Sequence, residues 1–291
     1  MSGESKPTGK GINVYWPIVV LACIATVLWI LEFYVFMVDY YDAHVNTGSG
    51  YWDTDVRYNA FSDFYYWFGI IWPGITVACF LLCIKLFSVH TMAGKTWLLL
   101  TISMILWFIG DFNYTIAWTW FNHLEDLPTI NPGRICYISG YALMLVGIAL
   151  QGRAAGTKLE GREKTILVVI VSLAITLSTI FVAIPIALTE LSDPVEKGIL
   201  IYYLVFDEVN IAFTIVLIFK YRGGQFARAW LIIAVGFILV AVYDIIYEYT
   251  TYVLVSETSF YFVEPIFYHG MYLTLAIGAA YLFISVRTLR V

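Results

Sequence analysis

The sequence predicts an all-α integral membrane protein, an eight-helix bundle built as two parallel four-helix repeats. Three observations predict it: an apolar composition, eight hydrophobic runs of spanning length, and a motif that recurs in both halves. Hydrophobic residues make up 61% of the 291-residue chain and charged residues only 13%. The mean hydropathy is +0.81. Soluble domains carry about 25% charged residues, so a chain this poor in charge belongs in lipid.

Apolar runs of about 20 residues cross the hydrocarbon core of a bilayer as helices. Eight such runs lie at roughly 14–38, 64–88, 96–121, 135–152, 165–189, 197–220, 228–254 and 264–286. The first is long enough to span and contains Glu32, so no cleavable signal peptide is expected. The second contains Trp72-Pro73-Gly74, a predicted kink. The connections are mostly short and leave no room for a soluble catalytic domain; the longest polar stretch runs from Asp39 to Asp63. The last run is followed at once by Arg287-Thr288-Leu289-Arg290-Val291, so any output domain is expected on another chain.

Basic residues sort by side. Of the 16 Lys and Arg residues, only Arg57, Arg134 and Lys197 fall on one side of an eight-span arrangement. The positive-inside rule then places both termini in the cytoplasm of a cell-membrane protein. The opposite loops are acidic, and the formal net charge is −5. Their charge concentrates cations near the outer mouth.

The repeat supports the same topology. Trp97, Leu98, Asp111 and Tyr114 recur 133 residues later as Trp230, Leu231, Asp244 and Tyr247. Tyr137, Tyr141 and Gly147 recur with an offset of 131 as Tyr268, Tyr272 and Gly278. Two units, 1–155 and 156–291, follow from this. Four spans per unit is an even number, so both enter the membrane from the same side and are related by an axis along its normal.

Asp111 and Asp244 are the central candidates. An ionisable group in hydrocarbon costs roughly 3 kcal/mol or more and marks a functional site by default. Asp111 lies sixteen residues beyond Lys95, and Asp244 sixteen beyond Arg228. At 1.5 Å per residue both sit about 24 Å from the cytoplasmic edge, in the outer half. Tyr114 and Tyr247 share their faces at i+3, as does Glu248 at i+4 from Asp244. A carboxylate with a phenol one turn outward reads as a hydrogen-bonded unit. Glu248, His269, Tyr141 and Tyr272 are further ligand contacts. Asp207, Glu208 and Glu32 are candidates for ion coupling, with Asp207 and Glu208 pointing about 100° apart on one helix.

Other chemistry is missing from the sequence. The histidines, His44, His90, His123 and His269, show no i, i+4 pair and no HExxH motif. Cys23, Cys79, Cys83 and Cys136 read as small packing residues rather than metal ligands. Spans seven and eight hold no deep lysine for a Schiff base, and no nucleotide-binding glycine pattern occurs. No metal, cofactor or nucleic-acid partner is expected.

The leading expectation is a sensor- or receptor-like module binding a small polar or cationic ligand in an acidic, aromatic, outward-facing pocket. Its signal output would need a partner membrane or signalling protein. The alternatives are a cation- or proton-coupled transporter and a non-catalytic subunit of a larger membrane complex, with an enzyme fourth. The topology carries its own test: a fluorescent protein fused after Val291 should fluoresce and alkaline phosphatase at the same point should be inactive. The reverse pattern would overturn the orientation.

Overall fold

The computed structural model describes residues 69–121, 128–156, 158–188, 193–222, 226–249 and 264–289, and single positions 23, 26, 27, 30, 31 and 67. The helices are α1 (Ile71–Ile84), α2 (Met92–Phe121), α3 (Pro132–Ala154), α4 (Gly161–Ser178), α5 (Ile184–Leu188), α6 (Pro194–Tyr221), α7 (Ala227–Tyr249) and α8 (Glu264–Leu289). A π-helical turn, Thr179–Ala183, joins α4 to α5. No strand occurs among the described residues. Six segments are long and apolar enough to cross a membrane: α2, α3, the continuous α4–α5 stretch, α6, α7 and α8. The chain is therefore a multi-pass helical membrane protein. Helix α1 is apolar but shorter, at 14 residues. The predicted first span, Glu32 and the 39–63 loop lie outside the described residues apart from helical positions 23, 26, 27, 30 and 31.

Proline accounts for both irregular helices. Pro73 has no N–H to give the Gly69 carbonyl, and its ring crowds that carbonyl. The chain accordingly turns at Ile70, and α1 begins at Ile71. Trp67 and Gly69 before α1 are helical and Ile70 keeps right-handed helical dihedrals (φ −67°, ψ −23°), so the helical ladder is interrupted where the kink is predicted. Pro185 lacks the N–H for Phe181 in the same way, and one residue earlier the Ile184 N–H bonds Thr179, five residues back. At the same end of the bundle, Asn131 and Asp193 cap α3 and α6, each followed by a proline. The caps are tied together: Thr129 donates to Asp193, and Arg134 pairs with Glu196 at 3.3 Å. Bonds from Thr129 and the Val195 N–H hold the Asp193 carboxyl below the usual carboxylate range.

Helix association in lipid relies on close packing and polar contacts, because lipid tails are as apolar as leucine. Four seams show such a contact. Ser103 donates to the Gly140 carbonyl at 2.7 Å between α2 and α3. Thr76 donates to Tyr272 O at 2.9 Å between α1 and α8, and Cys83 to Ala279 O two turns on. Asn210 donates to Phe237 O at 2.8 Å between α6 and α7, and Tyr202 to Ile138 O between α6 and α3. Helix α1 therefore packs on α2 and α8, while α6 packs on α7 and α3. The α2–α3 and α7–α8 hairpins meet where Trp97 faces Trp230, their ring centres 5.6 Å apart. Helix α4 and the π turn after it lie outside this core, with Val168, Val169, Leu173 and Phe181 outward.

Two glycines make matching close approaches. A Cβ at Gly147 would stand 3.0 Å from Leu100 and 3.5 Å from the Thr96 carbonyl. At Gly278 it would stand 2.6 Å from Ile233 and 3.3 Å from the Ala229 carbonyl. Thr96 and Ala229, like Leu100 and Ile233, are separated by the same 133 residues as the two aspartates. Gly278→Ala should destabilise the bundle by about 1–3 kcal/mol, the usual penalty for overpacking. Gly152→Ala, whose Cβ would meet only Leu217 at 4.0 Å, is the control and should be near neutral. Thermal unfolding in detergent reads both; equal effects would contradict the packing described.

Candidate functional site

Asp111 sits on α2 one turn beyond Trp107, and small residues decide what reaches it. A Cβ at Gly110 would stand 3.0 Å from the ring of Tyr137, so only glycine lets that ring lie across α2. The Tyr137 hydroxyl donates to Asp111 Oδ1. From α8, Tyr268 donates to the same oxygen and Tyr272 to Oδ2 at 2.8 Å. The last two phenols lie one helical turn apart, with their oxygens 3.4 Å from each other. One carboxylate thus collects donors from α3 and α8, while its own residue is 9% exposed. His269 is buried beside Tyr268, with ring centres 5.4 Å apart, and lies within electrostatic reach of Asp111.

Tyr114, the expected phenol partner of Asp111, is displaced by one ring. It stacks on Tyr137 at 5.7 Å and accepts a hydrogen bond from Asn131 at 3.2 Å. A Cβ at Gly133 would come within 2.8 Å of the Tyr114 ring, which explains the close seat. Tyr141 also turns elsewhere, packing on Trp107 at 4.8 Å and on Tyr203 at 5.5 Å.

Asp244 is only half-buried. Tyr272 is within electrostatic reach of both Asp111 and Asp244, so the two repeated acids flank one phenol. Tyr247 is exposed and stacks on Tyr243 at 6.0 Å, and Tyr243 in turn packs on Tyr268 at 4.7 Å. An aromatic row therefore runs from the surface at Tyr247 to the Asp111 cluster.

A second acidic group lies between α6 and α7. Glu248 is within electrostatic reach of Asp244 and Asp207. Asp207 is wholly buried, and Glu248 is 2% exposed. Neither carboxyl group has a hydrogen-bond partner among the described residues. Glu208 points away from Asp207, as their helical spacing requires, and accepts a 2.6 Å bond from Ser178 at the edge of the π turn. Among the described residues no three or more His, Cys, Asp or Glu side chains are arranged to hold a metal ion.

The structure thus joins Asp111 with Tyr272 and His269, and Asp244 with Glu248 and Asp207. It sets Tyr114 one ring away from Asp111, turns Tyr141 to Trp107 and Tyr203, and engages the Glu208 carboxyl with Ser178. Sequence reading missed Tyr137 and Tyr268 as Asp111 ligands, although their repeated i, i+4 pairing with Tyr141 and Tyr272 was visible. Tyr272→Phe removes a donor from a buried acid and should lower stability by about 1–3 kcal/mol. Tyr114→Phe touches only the Asn131 bond and should cost about 0.5–1.5 kcal/mol. Denaturant unfolding ranks the two; a larger loss for Tyr114→Phe would contradict the geometry.

Compared with known proteins, the chain matches no family model, no curated protein and no solved structure.

Proposed function

We propose that this multi-pass protein is a sensor- or receptor-like module of the cell membrane that captures a small cationic ligand in its outer half. The observation carrying this reading is a half-buried carboxylate, Asp244, beside an aromatic row that leads to a buried carboxylate already holding three phenols. Tyrosine faces attract organic cations, by about 0.5–1 kcal/mol at exposed sites and about 2 kcal/mol when desolvated. In this reading Asp244 supplies the charge, and Tyr243, Tyr247 and Tyr268 supply the faces. Asp111, with Tyr137 and Tyr272, fixes the rings from behind, and Glu248 and His269 are secondary contacts. A partner membrane or signalling protein would receive the output.

The same proposal takes the chain as two parallel four-helix units with both termini in the cytoplasm. The matched glycine seats at Gly147 and Gly278 support it. So does the helix pairing, in which α1 with α2 and α8 corresponds to α6 with α7 and α3. Coupled transport is the second reading, favoured by the carboxylates of Asp207 and Glu248, which have no hydrogen-bond partner among the described residues.

Ligand capture is tested on purified protein in nanodiscs, against a panel of monoamines, polyamines and quaternary ammonium compounds. A ligand at a hundred times its Kd adds about 2.7 kcal/mol of stability. At least one compound should raise the wild-type Tm, and Asp244→Asn should abolish that rise. A panel without effect, or a rise that survives the substitution, would overturn the reading.

A further inference from the structure

We propose that Asp207 and Glu248 form a proton-binding site in the seam between α6 and α7. The two side chains come from different helices, are fully or almost fully buried, and lack hydrogen-bond partners among the described residues. Taking an ionised carboxylate out of water costs several kcal/mol, and only a well-placed counter-charge or donor offsets it.

Among the described residues no counter-charge faces the pair from the elements around it. Helix α6 contributes Glu208 and Tyr203, and α7 contributes Asp244. From α8 comes Tyr272, turned toward Asp244 and bonded to Asp111, with His269 placed by Asp111. Helix α3 presents Tyr141 to Tyr203, and the end of α4 presents Ser178 to Glu208. Arg134, which is within reach of Tyr203, is engaged with Glu196. The described neighbours in reach of the pair are therefore acidic or neutral.

A metal ion suits such a place poorly, because a hard cation takes six or more oxygen ligands. No triad of ligating side chains is assembled among the described residues. A proton needs no coordination shell. A carboxylate that accepts one from hydronium becomes a neutral acid and releases water, and the O–H it gains is the donor that the buried oxygens lack. Chains of acids handle protons in many membrane proteins. Here Asp244, Glu248, Asp207 and Glu208 follow one another within electrostatic reach, from the half-buried end to the π turn.

The inference deepens the transport reading by naming the ion, and it stands or falls separately from flux. Infrared difference spectra of the full chain in nanodiscs at neutral pH, in water and deuterium oxide, test it. Wild type should show a protonated-carboxyl C=O band that shifts on deuteration and is lost in Asp207→Asn, Glu248→Gln or both. A spectrum in which neither substitution removes such a band would overturn the proposal. So would the absence of any protonated-carboxyl band from the wild-type spectrum, since both groups would then be ionised. Should either variant fail to purify, wild type labelled with carbon-13 at aspartate or glutamate carboxyls gives the same answer by the shift of the band. A band present without pH-driven flux in proteoliposomes would end the transport reading and leave the proton site intact.

Discussion

Carboxyl groups buried with no described lysine or arginine beside them set the terms for the rest of this structure. The described cationic side chains stand near helix ends, where Arg134 pairs with Glu196 and Lys220 reaches the Gly152 carbonyl. Acids deeper in the bundle must be satisfied by neutral donors or by protons. Asp111 shows the first solution, with three phenols around one carboxylate. Asp207 and Glu248 show the second, with burial and no donor among the described residues. The positions of Tyr137, Tyr268 and Tyr272, and of Gly110, which makes room for one of them, follow from the needs of Asp111.

The same interaction has an architectural effect. Its donors come from α3 and α8, so a single acid on α2 joins helices from both halves of the chain. The Thr76 and Cys83 bonds fasten α1 along α8, and the Asn210 bond fastens α6 to α7. Helices α4 and α5 stand apart from this core, anchored where Val182 and Ile186 pack against Leu200 and Leu204 and where Ser178 meets Glu208. The π turn at that anchor places the one described hydrogen bond between α4 and an acid of α6.

Much of this was legible in the sequence, and the remainder has physical reasons for being hidden. Helix type and the acids to watch followed from composition and from Asp111 and Asp244 standing in apolar runs. The divergence of Asp207 and Glu208 followed from helix geometry alone. The partner of Asp111 did not follow, because Tyr114 shares its face but its ring is drawn over Gly133, and helix rotation relative to neighbours is invisible in a single sequence. Tyr268 and Tyr272 lie more than 150 residues away, so only the tertiary packing could bring them in. Pro73 was read as a kink, and the helical ladder is interrupted at Ile70, between helical Gly69 and α1, where the proline supplies no N–H. Pro185, which explains the π turn, went unread because its effect depends on how the backbone upstream relieves the missing bond.

The central claim is that Asp111 binds the two halves together through phenols of α8. A double-mutant cycle on stability, pairing Asp111→Asn with Tyr268→Phe, tests it most directly. Hydrogen bonds between helices in membranes average about 0.6 kcal/mol, whereas residues in one network couple by about 0.5–3 kcal/mol. A coupling above about 1 kcal/mol is the result this account predicts. Single effects that add within about 0.3–0.5 kcal/mol, as independent sites do, would contradict it.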